Sequence, residues 1–225
     1  MISANFTADV IEVFFVLILS TAAFIITQRS LRSLFTIYTI QSLILALIAA
    51  VLFIEHGTLS LLFISLLTLV IKALIIPAFL RRTLVVMPVK RDIEFRYLTP
   101  TSSILLSAVL FFIVYTSFSN VAAQLFSDRL FFLGGVIGVS LALIGMMVIF
   151  SRQKVISKIV GYLTMEDGVL LFGLFIAEMP FIIEVLIVID LLMLIVLSTI
   201  MAFGIDSSIE AFHRKLTQLG LNFED

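Results

Sequence analysis

Charged residues lie so far apart along this chain that nearly every stretch between them reads as a membrane crossing. Seven apolar runs, near 9–27, 32–54, 58–80, 102–120, 130–150, 155–177 and 180–204, reach the roughly 17–25 residues that an α-helix needs to span a bilayer. The predicted architecture is therefore all-α and polytopic, with about seven spans in a single transmembrane domain over 1–205. The first run is too long for the apolar region of a cleavable signal and no basic segment precedes it, so it is read as a helix. Between the third and fourth runs lies the one long loop, 81–100, net basic and bounded by Pro77, Pro88 and Pro100. It reads either as a solvated stop-transfer loop or as a docking strap for a partner subunit. Pro77 and Pro180 are expected to bend or begin helices.

The tail, 206–225, has a different pattern. Ser207 with Glu210 fits a capping box, and Ile209, Phe212, Leu216 and Leu219 recur at spacings of three and four. This predicts an amphipathic helix lying along the membrane face or against a neighbour.

Composition agrees with the pattern. Of 225 residues, 62% are hydrophobic and 13% charged, with mean hydropathy +1.27, against about 25% charged in an ordinary soluble domain. No cysteine is present, which excludes disulfides, thiolate metal sites and iron–sulfur ligation. The only histidines, His56 and His213, lie in separate polar segments and make a poor haem or metal pair. No basic aromatic groove points to nucleic acid. The chain is expected to hold no cofactor and not to be an enzyme by itself.

The basic residues set the orientation. Arg29, Arg32, Arg81, Arg82, Lys90, Arg91, Arg96, Arg152, Lys154, Lys158, Arg214 and Lys215 all fall on one side of a seven-span chain, with only Arg129 opposite and Lys72 inside. The positive-inside rule makes that side cytoplasmic, so the N-terminus faces out and the C-terminus in.

Three ionisable residues interrupt the oily helices: Lys72, Glu166 and Asp190. A charge at the bilayer centre costs about 2.5–3.5 kcal/mol on insertion scales, so such residues are rare and usually functional. At about 1.5 Å per residue, Glu166 and Asp190 lie roughly 15–17 Å from the starts of their helices, at similar depth on antiparallel neighbours. They are expected to meet in a wetted pocket and exchange a proton. Asp167 points about 100° away from Glu166 around the helix. Lys72 either pairs with a carboxylate or snorkels towards Arg81 and Arg82. Gln41 is a candidate water-bridging side chain, and Glu184 a candidate outer group of the path. Glu55, His56 and Glu178 sit at outer helix ends. Gly134, Gly138 and Gly145 form a small-residue stripe that signals close helix packing.

There is also an internal echo. Gln41 follows Arg29 by twelve residues as Glu166 follows Lys154, and Val70-Ile71-Lys72 stands opposite Val188-Ile189-Asp190. The arrangement is compatible with a parallel duplication of a three-helix unit and gives no sign of an inverted repeat or a broken helix.

The stretch Lys154 to Gly204, and within it Lys-Ile-Val-Gly-Tyr-Leu-Thr-Met-Glu-Asp-Gly at 158–168, resembles the membrane subunit family called hydrogenase-4 component E. That family is similar to the three-helix K subunit of respiratory complex I and its antiporter counterpart. Lys154 and Lys158 match its basic cytoplasmic edge, Gly161 and Glu166 its glycine and mid-helix acid, and Asp190 its second acid, with Glu184 the rival. The resemblance implies a subunit of a group 4 NiFe-hydrogenase or formate-hydrogenlyase-like complex in the inner membrane. Its acids would contribute to a lateral proton path. The implied partners are antiporter-like membrane subunits, a quinone-module-like membrane subunit and soluble redox subunits that carry the nickel–iron site and iron–sulfur clusters. The competing readings are a purely structural membrane anchor and an independent small transporter.

Overall fold

A computed structural model describes residues 2–86, 99–122, 129–152 and 155–176, together with Ile189, Leu192, Met193, Ile195 and Thr199. Among these residues every element is helical and none is a strand: α1 (Ile2–Thr27), α2 (Leu31–His56), α3 (Leu59–Leu67), a π-helical segment (Thr68–Ile75), α4 (Ile76–Val86), α5 (Pro100–Ala122), α6 (Arg129–Ser151) and α7 (Val155–Ile176). Five stretches are long and apolar enough to cross a membrane: Thr7–Thr27, Leu31–His56, Leu59–Arg82, Thr101–Ser119 and Arg129–Ser151. They match the first five predicted runs. The sixth run corresponds to α7, whose 22 residues extend about 33 Å at 1.5 Å each. It carries Lys158, Glu166 and Asp167. The seventh run and the tail fall almost wholly outside the described residues. The third helix runs on to Val86, six residues into the predicted loop.

Local chemistry explains the corners. At the start of α2, Ser30 has extended backbone and its Oγ accepts the Ser33 N–H at 3.3 Å, satisfying one of the orphan donors of the first turn. At the other end Gly57 takes φ 68°, a left-handed conformation costly for any residue with a Cβ, and its N–H closes on Phe53 O at 2.7 Å. The chain can then re-enter a helix at Leu59 after a single further residue.

The third rod is continuous but irregular. Its middle is π-helical, and the Ile76 N–H bonds Ile71 O, five residues back. Pro77 follows directly. A proline inside a helix has no N–H to donate and its ring presses on the carbonyl four residues earlier. The wider turn upstream accommodates both, so the rod stays unbroken through a local change of helix type.

α2 packs centrally, against α1, α3, the π segment, α4 and α7, while α6 lies closest to α7 and also touches α1 and α5. The α6–α7 seam is glycine-lined. A Cβ on Gly145 would stand 2.3 Å from Met165 N, one on Gly168 2.4 Å from Ala142 N, and one on Gly138 2.6 Å from Phe172 N. Such contacts require near backbone-to-backbone approach. The predicted stripe Gly134, Gly138 and Gly145 is therefore a packing face, and α7 answers it with Gly161 and Gly168. Gly161, matched above to the glycine that precedes an acid, sits 3.0 Å (from a built Cβ) from Gly145 O. Outside, large apolar side chains such as Val16, Ile54, Leu105, Phe112 and Phe150 are exposed, as suits helices whose solvent is hydrocarbon.

Candidate functional site

Four helical rods converge on one charged cluster at mid-height. Gln41 lies near the centre of α2, Lys72 near the centre of the third rod, and Glu166 near the centre of α7, eleven residues or about 16 Å past its first residue. Each side chain is buried: Gln41, Ser42, Lys72 and Asp167 show no exposed surface and Glu166 only 3%.

The ammonium of Lys72 is the hub. Its Nζ lies 3.2 Å from Glu166 Oε1 and 3.2 Å from Asp167 Oδ1. Asp167 is held from the other side too, because its Oδ2 accepts from Gln41 Nε2 and from Ser42 Oγ, both at 3.2 Å. Thr21 on α1 extends the network, with Oγ1 2.7 Å from Ile18 O and 3.5 Å from Gln41 Oε1. A hydroxyl has one proton, and the shorter contact takes it. Asp167 sets the orientation of Gln41: its amide donates to the carboxylate, which leaves its carbonyl oxygen towards Thr21.

Burying ions is expensive unless each charge is paired and its remaining lone pairs are met by donors. Asp167 meets that condition with three donors. Among the described residues the Lys72 ammonium stands between two carboxyls, those of Glu166 and Asp167.

The candidate residues sort as follows. Lys72, Glu166, Asp167 and Gln41 come together in one cluster. Lys72 does not snorkel, since it is fully buried while Arg81 and Arg82 are exposed. Asp167, expected to point away from Glu166, shares the same ammonium. The extra methylene of glutamate lets two side chains that leave the helix about 100° apart end beside one atom. Asp190 and Glu184 lie outside the described residues, and so does the expected meeting of Glu166 with Asp190. Glu55 and His56 are exposed at the end of α2. Ser42 and Thr21 were not anticipated. The only signal was the polar doublet that each forms, Gln41-Ser42 and Ser20-Thr21, in an otherwise apolar helix.

One basic residue assigned to the cytoplasmic edge behaves differently from the others. Arg152, just past α6, is 1% exposed and its Nη2 donates to Ile25 O at 3.1 Å and Ile26 O at 2.7 Å. These carbonyls belong to the last turn of α1, where a helix leaves acceptors unmet and concentrates negative partial charge. Burial lowers its pKa from the ordinary guanidinium value to about 10, so it remains a cation at neutral pH.

Among the described residues no group of three His, Cys, Asp or Glu side chains is placed to hold a metal ion. No family model, no curated protein and no solved structure matches this chain.

Proposed function

We propose that this chain is a membrane subunit of a redox-driven ion-translocating complex, of the group 4 NiFe-hydrogenase or formate-hydrogenlyase kind related to complex I. Its buried cluster contributes to a lateral proton path. The observation that carries this reading is the placement of Lys72 Nζ 3.2 Å from both Glu166 and Asp167, halfway along two helices. Ionisable side chains at that depth are costly and are kept where charge has to move. The resemblance of 154–204 to hydrogenase-4 component E supplies the class of complex. On this reading α7 and 180–204 are the sixth and seventh spans, the N-terminus faces out and the C-terminus in. Redox cofactors belong to partner chains.

The test is Glu166→Gln in the assembled complex in native membranes. Loss of redox-driven proton uptake with subunit composition unchanged supports the path. Normal pumping by an assembled variant refutes it. A second reading, a structural anchor, is favoured by the three donors on Asp167, which suit a tie between helices. It requires the same substitution to dissolve the complex rather than uncouple it.

A further inference from the structure

Among the described residues, the side chains that reach the two carboxyls are donors. Lys72 Nζ, Gln41 Nε2 and Ser42 Oγ each give a hydrogen to Asp167, and Lys72 also lies against Glu166 Oε1. A bound alkali cation needs the opposite, a shell of oxygen acceptors, which transporters build from carboxylates, carbonyls and interrupted helices. Here the place between the acids is filled by an ammonium carried on the chain itself, present at an effective concentration that no free ion matches. A sodium ion entering beside it would meet like charge in a fully buried site. A proton needs no shell, because it sits on a carboxyl oxygen and leaves the ammonium where it is.

From this juxtaposition we infer that Lys72 is the resident cation of the site and determines its ion specificity, admitting protons and rejecting sodium. The inference deepens the proposed function by naming the coupling ion, and its transport arm rests on that reading. Its binding arm does not.

The binding arm measures thermal unfolding of the purified complex in sodium chloride and in choline chloride at equal ionic strength. The wild type is expected to melt at the same temperature in both. Lys72→Ala leaves two buried acids without their ammonium, and its melting temperature is expected to rise by several degrees in sodium over choline. That rise is expected to vanish in Lys72→Ala/Glu166→Gln. Sodium-specific stabilisation of the wild type overturns the inference, as does a Lys72→Ala variant indifferent to sodium. If that variant does not accumulate, sodium-23 line broadening on the wild type decides, with none expected above a buffer blank. The transport arm compares proton uptake by wild-type vesicles in the two salts. Equal uptake supports the inference, and uptake that requires sodium overturns it while leaving a translocating subunit. Absent uptake with sodium-indifferent melting sinks the proposed function and leaves Lys72 as the resident cation.

Discussion

Lys72 and Asp167 stand 95 residues apart in sequence and 3.2 Å apart in space, with neither side chain exposed. Their contact ties the third rod to α7 through the face of α2 that carries Gln41 and Ser42. The strength of such a tie lies less in the pair's net stabilisation than in the penalty for breaking it, because the surviving charge is stranded in a medium that solvates it poorly.

Lys72 also faces Glu166, so the effects of removing Lys72 and of removing Asp167 are not independent. Lys72→Met and Asp167→Leu should each destabilise by about 3–5 kcal/mol, and the double variant by clearly less than their sum. Ser42→Ala takes one donor from the carboxylate and should cost about 1.5–3 kcal/mol. Denaturant unfolding in detergent micelles measures all four. Additive single effects would show that the two side chains do not act as a pair.

The α6–α7 seam gives a second expectation. Gly145→Val should be among the most damaging substitutions in the chain, at or above the about 1–3 kcal/mol typical of overpacking, since the obstacle is the Met165 backbone. Gly57→Ala meets nothing within 4 Å and suffers only its φ of 68°, about 1–2 kcal/mol. A melting comparison in which the Gly57 variant proves the weaker of the two would refute the close-approach account.

Arg152 permits a statement about pH. Its folded-state pKa is depressed by burial from the ordinary guanidinium value to about 10. Between these values the unfolded chain binds more protons than the folded one, so stability from this group rises with pH. Below about pH 10 both states are protonated and the cost of burial is present in full. Arg152→Met should lower stability by about 1.5–3 kcal/mol through the carbonyls left unmet on α1. That deficit should be constant from pH 6 to 9 and widen above about 10. A deficit that changes near neutrality would assign the titration to another group.

Two serines are expected to be better removed. Ser140 and Ser157 are fully buried, and their hydroxyls have no hydrogen-bond partner among the described residues. A buried unsatisfied hydroxyl costs about 1–3 kcal/mol. Ser140→Ala and Ser157→Ala should each raise the melting temperature. A fall would reveal a bound water or a partner subunit at that hydroxyl.

Read alone, the sequence determined the helices and their depth. An apolar run of about twenty residues has few alternatives to a helix where the surroundings offer no hydrogen bonds to the backbone. The five spans, the packing stripe Gly134, Gly138 and Gly145, and the choice of Lys72, Glu166, Asp167 and Gln41 all follow from position within those runs. What the sequence left open was which helices meet. Periodicity shows the face a residue occupies, but every oily face looks alike to a neighbour, so Asp167 carried no mark of its partner across 95 residues. Helix type was hidden for a similar reason, because the π turn at Thr68–Ile75 changes the hydrogen-bond step and leaves composition untouched. Arg152 looked like any other edge charge until the end of α1 was brought to it. Only the tertiary structure decided these points, since burial and pairing depend on what stands opposite a side chain.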